Sequence, residues 1–293
     1  MIKLLRANFC RLSKDILFYI VVLVNTVLTI LFANDLNSGI IDGFYLIIQP
    51  FIYSVFVAFF VGKEYGNGTI RNKLVCGHTR SVVYFSYLIT CIVATLASII
   101  PGVIVLCAWN IKFISAIELS YALLMLLGYL LLHCACCALF VAVGFAIHSK
   151  AVCVIVVILV AFSGMFLSEM TVQKLDEDKT LPDVIINADG TQTLVDGNRP
   201  NPKYVDGTPR KILYGINNFL PQSQISEYCS FLAKWYGEWE ATNSVDTTNF
   251  DVVFKDSTTA KHDLQYVFFV NQIVLLALTT LIGGLMFHKK ELK

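Results

Sequence analysis

Six long apolar stretches dominate this sequence, and each is long enough to cross a lipid bilayer as a helix. A bilayer core about 30 Å thick needs about 20 apolar residues at about 1.5 Å rise per residue. The stretches are 16–33, 44–61, 82–108, 117–147, 151–168 and 264–287. Backbone amides left unpaired in lipid are costly, so such stretches are expected to be helical. The sequence therefore predicts an all-α polytopic membrane protein with six transmembrane helices.

The composition favours a lipid environment and argues against a nucleic-acid partner. Hydrophobic residues make up 56% of the chain and charged residues 15%, against roughly 45–50% and about 25% in soluble domains. The net charge of +1 offers no excess of positive charge to a phosphate backbone. We therefore expect membrane lipid around the chain and no nucleic acid.

Lysine and arginine residues predict the orientation of the spans, because positively charged loops are retained in the cytoplasm. With the N-terminus inside, the inner segments carry twelve basic and three acidic residues, and the outer segments carry ten basic and eighteen acidic residues. The distribution predicts that both termini are cytoplasmic. Spans one to five and the cytoplasmic loop 62–81 then occupy 15–168, and the sixth span and a basic tail occupy 264–293.

Residues 1–14 are predicted to form an amphipathic helix ahead of the first span. Its apolar residues at helical spacing are Ile2, Leu5, Phe9 and Leu12. A helix lying flat at the inner membrane surface explains this pattern. A simple charged anchor for the first span explains it equally well, so both interpretations stay open.

The polar segment 169–263 is predicted to be a small α+β extracellular domain. Residues 184–186 and 192–195 are apolar or β-branched and flank Asn-Ala-Asp-Gly at 187–190, which predicts a β-hairpin. A segment of this size is only marginally able to bury its own core, so we expect it to lean on the span ends or on a second copy.

The second half of this segment, after Pro221, is predicted to be helical, with Ser223 as a cap. Its apolar stripe consists of Ile225, Cys229, Phe231, Leu232 and Trp235, and a further strand pair is predicted at 250–255.

The search for enzyme chemistry finds no phosphate-binding loop, no zinc-protease helix and no hydrolase elbow. We therefore expect a chain that is not an enzyme, with no catalytic residues, no metal and no cofactor of its own. Polar residues inside membrane spans are energetically costly, so five are candidates for a functional role: Asn25, Gln49, His133, Asn271 and Gln272. For His133 a hydrogen bond between helices is favoured over a proton relay, since no acidic residue lies at similar depth. Cys134, Cys136 and Cys137 are interpreted as packing residues rather than zinc ligands.

The loop 62–81 is predicted to contain a short amphipathic helix. Gly66 and Gly68 allow a turn out of the membrane, Thr69 is the predicted N-cap, and Gly77 closes the helix in a left-handed conformation. Ile70, Leu74 and Val75 are expected on one face, and Arg71, Asn72 and Lys73 on the other. From the residues alone, this helix could lie on lipid headgroups or insert into a soluble partner.

The residues of this loop carry a resemblance to a known family. They are Glu64, Gly68, Thr69, Ile70 and Arg71, followed by Arg80 before the third span. With the six-span layout, the N-terminal amphipathic helix and Asn-Asn-Phe-Leu-Pro-x-x-Gln at 217–224, this pattern resembles the permease subunits of type-2 ATP-binding-cassette (ABC) exporters. The external segment is longer here than in the plainest members.

The resemblance implies a division of labour between subunits. The loop helix would dock on a separate cytoplasmic ABC ATPase, which binds ATP and Mg, and two permease copies would surround a pathway lined by the second and fifth spans. Candidate pathway residues are Tyr53, Phe56, Phe60, Phe162 and Met165. The alternative for these aromatic residues is ordinary packing.

Glu64 is the strongest single candidate, because it is one of only three acidic residues predicted on the inner side. It is expected to join the N-terminal helix to the loop helix through Arg or Lys partners, and Glu64→Gln is expected to uncouple ATP hydrolysis from transport. A solvated interfacial carboxylate is the alternative.

For the whole chain, the predicted function is export of an amphipathic antimicrobial peptide, drug or lipid, as in antimicrobial peptide resistance. The alternative is a non-transporting receptor or immunity protein that binds an external ligand through 169–263.

Overall fold

The computed structural model describes residues 1–33, 43–109, 111, 119–147, 149–186, 192–225, 228 and 261–289. The helices in these ranges are α1 (Ile2–Leu12), α2 (Ile16–Ala33), α3 (Gly43–Gly66), α4 (Thr69–Val75), α5 (Arg80–Trp109), α6 (Leu119–Ala146), α7 (Lys150–Leu175), α8 (Thr208–Phe219) and α9 (Lys261–Lys289). The strands β1 (Thr180–Ile186) and β2 (Gln192–Pro200) form a two-stranded sheet. The described chain is therefore mostly helical.

Four of the described helices are long and apolar enough to cross a membrane: Arg80–Ala108, Leu126–Ala146, Lys150–Leu175 and Phe268–Lys289. They coincide with the third to sixth predicted spans. Helices α1 and α2 meet the same criterion as a pair bent by 66°. Helix α3 covers the second predicted span, and its last turn carries the charged residues Lys63 and Glu64. The protein is membrane-embedded and mostly helical, while the number of six spans stays a prediction.

Helix α3 packs against α2, α6 and α7. Among the largest fully buried side chains are Tyr53, Phe56, Phe60, Tyr84, Tyr87, Phe140, Phe145 and Phe287. Large apolar side chains also cover the outside, among them Leu23, Ile104, Leu159, Phe166 and Leu285. Soluble proteins rarely expose apolar surface so continuously, so these outer faces suit contact with lipid.

Basic residues meet at one end of the bundle. Arg80, at the start of α5, donates hydrogen bonds to the carbonyls of Phe287 and His288 at the end of α9. Lys150, at the start of α7, lies against Gly62 near the end of α3. We call this the basic end: the starts of α5 and α7 with the ends of α3 and α9.

The β-hairpin lies at the opposite end. Helix α7 has 26 residues and so extends about 39 Å from the basic end before the chain enters β1. The strands are antiparallel, with Val184 opposite Leu194 and Ile186 opposite Gln192. The predicted hairpin is present in these strands, and its predicted turn at 187–190 lies outside the described residues.

Helix α8 was not predicted, because the Pro- and Gly-rich sequence before it is typical of a loop. Gly207, with φ of 70°, precedes the helix, and Pro209 lies in its first turn, where the missing amide proton costs nothing. Arg210 donates to the carbonyl of Leu175 at 2.8 Å. This bond fastens the start of α8 to the end of α7.

The predicted cap at Ser223 is wrong. The chain is extended at Leu220, with φ of −91° and ψ of 118°, and helical structure covers 221–225. Ser223 therefore lies inside this helical segment rather than ahead of it. The rest of the predicted stripe, at Cys229, Phe231, Leu232 and Trp235, and the predicted strand pair at 250–255 lie outside the described residues.

Candidate functional site

Glu64 is a fully buried carboxylate in the last turn of α3, at the basic end. A buried charge is strongly destabilising unless ionic partners and hydrogen bonds compensate it. Arg11 of α1 forms an ion pair with Oε1 of Glu64. Lys73 of α4 places its Nζ 3.0 Å from Oε2. Glu64 is therefore not a solvated interfacial carboxylate. Its basic partners come from the N-terminal helix and from the loop helix, as expected from the sequence.

Two hydroxyl groups complete the surroundings of the carboxylate. Thr69, the first residue of α4, donates from Oγ1 to Oε2 of Glu64 at 2.7 Å. Tyr87 of α5 donates its hydroxyl hydrogen to the same oxygen. One side chain of α3 is thereby bonded to α1, α4 and α5.

A second layer of contacts surrounds these partners. Asn8 of α1 donates to Ser86 Oγ at 3.2 Å and accepts from Lys73 Nζ at 3.2 Å. Lys73 also lies over the Tyr87 ring, with its Nζ 4.3 Å from the ring centroid. We call Asn8, Arg11, Glu64, Thr69, Lys73 and Tyr87 the carboxylate cluster.

Burial, and to a smaller extent the positive charge of Arg11, lowers the pKa of Lys73 to about 8. Desolvation disfavours the charged form of an amine. Lys73 is therefore easier to deprotonate than an exposed lysine.

The structure corrects the predicted geometry of α4. Its N-cap is Gly68, with φ of 66°, while Thr69 is already helical and turns its hydroxyl to Glu64. Gly77 has the predicted left-handed conformation, with φ of 88°. The conformations of Gly68 and Gly77 are strained for residues with a side chain, so glycine suits both ends.

The faces of α4 are also rotated from the prediction. Ile70 is buried and Lys73 is turned inward, whereas Val75 is 81% exposed. Arg71 and Asn72 are exposed beside Val75. A large apolar side chain therefore stands on the outer surface of α4, next to a cation.

Helix α1 shows a similar rotation. It packs against α5 and buries Leu4, Asn8 and Leu12, while Ile2 is 82% exposed. Of the predicted stripe, Ile2 is therefore outside the contact, and Leu5 and Phe9 are only half-buried. Asn8 and Tyr87 could not be predicted as site residues. Asn8 is a polar residue that interrupts an apolar pattern, and Tyr87 is an aromatic residue in an apolar run, which is typical of packing.

The remaining predicted coupling residue, Arg80, does not contact Glu64. Its guanidinium lies 3.4 Å from the carbonyl of Phe287 and 3.3 Å from that of His288. These are terminal carbonyls that a helix leaves without intrahelical partners. Arg80 thus joins the loop after α4 to the end of α9.

The predicted pathway residues do not share one surface. Tyr53, Phe56 and Phe60 are buried, and Phe56 stacks on Phe60 with 5.5 Å between ring centroids. Phe162 is 47% exposed and Met165 is half-buried on α7. The contacts of the three buried rings are those of packing residues, and a pathway role for the set stays a prediction.

A second polar cluster joins α3 to α6 within the bundle. His133 Nε2 lies 2.8 Å from Gln49 Oε1, and the Tyr129 hydroxyl donates to the same amide oxygen at 2.6 Å. His133 therefore makes the interhelical hydrogen bond that the sequence favoured. Among the described residues, no three His, Cys, Asp or Glu side chains are grouped so that they could hold a metal ion.

The carboxylate cluster joins α1, α3, α4 and α5 through the side chain of Glu64. Its one carboxylate is fully engaged by cations and hydroxyls, so its geometry suits holding four helix ends in a fixed relation. A scan against protein-family models found no match, and searches of curated proteins and of solved structures found none either.

Proposed function

We propose that this chain is the permease subunit of an ATP-driven exporter of the type-2 ABC kind. It would span a bacterial plasma membrane six times with both termini in the cytoplasm and move an amphipathic peptide, drug or lipid outward. A separate ATPase subunit would bind ATP and Mg, and a second permease copy would complete the pathway. The observation that carries the proposal is the buried Glu64, which ties α4 to α1, α3 and α5.

The attachment of α4 explains how an outside force would reach the spans. A helix of seven residues is too short to be stable alone, because helix nucleation is unfavourable. Its position is set by Ile70, which is buried, and by Lys73 and Thr69, which bond to Glu64. A partner that moves α4 would therefore move the ends of α1, α3 and α5. Two conformations with different contacts at this cluster would supply the coupling free energy.

The outer surface of α4 suits a protein partner. Val75 is 81% exposed, and an apolar side chain beside a cation can fill a pocket while the cation pairs at the rim. Lipid headgroups are the other candidate occupant. The ATPase is preferred because it explains why a buried ionic cluster stands directly behind this surface.

Co-purification of the chain with an ATP-binding subunit from its source cells tests the proposal. We expect the wild-type chain to retain that ATPase and to export substrate when both are reconstituted with ATP and Mg. Val75→Asp should abolish retention, because a carboxylate replaces the apolar side chain at the contact. Ile2→Asp is a matched control, since Ile2 is 82% exposed on α1. Failure of the wild-type chain to retain an ATPase would favour the receptor alternative.

A further inference from the structure

A third group of buried polar side chains lies between α7, α9 and the helical segment 221–225. It consists of Gln222, Ser223, Gln224 and Gln272, and we call it the glutamine patch. Gln222 is 6% exposed, and the other three side chains are fully buried. The buried residues of α7 on either side of Gly164 are Ala161 and Ser168.

Only part of the patch is satisfied by hydrogen bonds. Gln224 donates to the carbonyl of Asn217 at 3.3 Å and accepts from Gln272 Nε2 at 3.3 Å. In the described part of the chain, neither amide atom of Gln222 has a hydrogen-bond partner. The same holds there for Ser223 Oγ and Gln272 Oε1. Buried polar groups are nearly always paired, so the two unpaired amide atoms of Gln222 require an explanation.

The side chain of Gln222 is held in place by its packing. It lies directly against Gly164 of α7, where a Cβ atom would come within 2.5 Å of Gln222 Nε2. Because residue 164 is glycine, the amide of Gln222 can pack directly against the backbone of α7. That backbone forms no hydrogen bond with the amide.

The chemistry of the unpaired atoms limits what could bind. The amide of Gln222 presents one acceptor, Oε1, and two donors on Nε2, and the patch contains no charged side chain. In an extended peptide, the N–H and C=O of one residue point to the same side, as in the hydrogen-bonded pairs of a β-ladder. A single side-chain amide matches that pair, with Oε1 accepting from the N–H and Nε2 donating to the C=O.

We propose that the glutamine patch is a binding subsite for the backbone of a neutral, extended peptide segment. Gln222 pairs with the N–H and C=O of one residue of that segment. The inference rests on the proposed export function for its biological meaning, since it assigns the substrate class to peptides. Entry requires α7 and the 221–225 segment to separate, because the patch is closed in this conformation.

This proposal has a consequence that a purely structural role would not have. Replacing an unsatisfied buried amide by an apolar group of similar size removes a desolvation cost. Gln222→Leu should therefore raise the midpoint of thermal unfolding by about 2 °C while weakening ligand binding. A gain of stability with a loss of binding is typical of residues kept for function.

The experiment uses the purified full-length chain in lipid nanodiscs, without any ATPase. The probe is dansyl-labelled trileucine amide, and its analogue N-methylated at the backbone amides removes the N–H donors. We expect saturable fluorescence binding to the wild-type chain, absent from empty nanodiscs, and about tenfold weaker binding of the N-methylated probe. Gln222→Leu should bind the unmodified probe about tenfold more weakly. The matched control Gln173→Leu, at an exposed position of α7, should change neither readout.

Three results would overturn the subsite. They are unchanged probe binding in Gln222→Leu, no saturable binding by the wild-type chain, and a lower unfolding midpoint in Gln222→Leu, which would mean that the amide is satisfied within the fold. These failures are separate from those of the exporter proposal. ATP-driven export with an inert Gln222 removes the subsite alone, whereas peptide binding without an ATPase partner removes the exporter alone.

Discussion

At the scale of single residues, Glu64 is fully buried and has two cationic partners. The contribution of its charge to stability should therefore be large enough to measure. We expect Glu64→Gln to lower the free energy of unfolding by about 2–3 kcal/mol. Breaking a buried ion pair leaves a cation uncompensated, although the Arg11 side chain is 37% exposed and water screens part of the loss. Chemical unfolding in detergent measures the difference.

Asp15→Asn is the matched control for that substitution. It removes the ion pair between Asp15 Oδ2 and Lys63 Nζ, whose atoms lie 2.8 Å apart at the same end of the bundle. Asp15 has this one cationic partner, whereas Glu64 is fully buried and has two, so we expect a loss below about 1 kcal/mol. Equal losses in the two variants would contradict the larger contribution of the Glu64 charge to stability. In the reconstituted exporter, only Glu64→Gln should hydrolyse ATP without transport.

Lys73 makes the stability of the same cluster depend on pH. Its folded-state pKa of about 8 lies below the unfolded value near 10.5. Between these values the unfolded chain binds more protons at this site, so the Lys73 contribution to stability should become more favourable as pH rises from about 8 to 10.5. The groups facing Lys73 are Glu64, Arg11, Tyr87 and Asn8.

Thermal unfolding of the wild-type chain and of Lys73→Met, recorded from pH 7 to 10.5, isolates this contribution. The difference between the two unfolding midpoints should move in favour of the wild-type chain as pH rises. A difference that is independent of pH would show that Lys73 titrates alike in the folded and unfolded states.

The residue scale also shows what the sequence could and could not predict. Glu64 could be singled out because acidic residues are scarce on its side, and its partners followed from the charges of neighbouring helices. The inward orientation of Lys73 and the exposure of Val75 could not be predicted from the sequence. Helix α4 has only two turns, so tertiary contacts determine which of its faces is buried. Thr69 is a common cap residue, yet Gly68 takes that position because the chain needs a positive φ there.

At the scale of elements, the contact between α9 and α5 depends on a single glycine. A Cβ atom at Gly283 would overlap the Tyr84 hydroxyl and lie 2.7 Å from Ala142 Cβ. At the neighbouring Gly284, the nearest atom of Tyr84 would be 3.7 Å away, an ordinary contact. We expect Gly283→Ala to lower stability by about 1–3 kcal/mol through overpacking, and Gly284→Ala to be neutral or stabilising. Detergent-resistance and unfolding midpoints measure both, and similar effects would contradict this packing.

Helices and strands also differ in how well they can be predicted from the sequence. The long helices come from long apolar runs and the hairpin strands from apolar or β-branched segments that flank a turn signal, and the structure contains both near the predicted positions. Helix α8 follows a run of prolines and glycines that indicates a loop, and its placement depends on the bond from Arg210 to Leu175. Such a contact between distant parts of the chain has no local signal.

At the scale of the whole molecule, basic residues that the sequence predicts on the inner side lie together at one end of the bundle. Arg80 and Lys150 begin two helices at the basic end, where Arg11 and Lys73 surround Glu64. The hairpin and α8 lie at the other end, beyond the 26 residues of α7. The positive-inside rule requires these basic residues to lie at the same end of the bundle, as they do. The prediction to test is that this end faces the cytoplasm.

Cys76 provides that test, because it is an exposed thiol directly after α4. We expect a membrane-impermeant maleimide to label Cys76 only in inside-out vesicles, in a variant whose Cys10, Cys107 and Cys229 are serine. The comparison places the label at the other end: Asp206→Cys, at an exposed position before α8, in the same background with Cys76→Ser, should react in intact cells. The two sites differ in side and not in exposure, so opposite reactivity reports topology. Labelling of Cys76 in intact cells would put α4 outside, where no ATPase could reach it, and would exclude the proposed coupling.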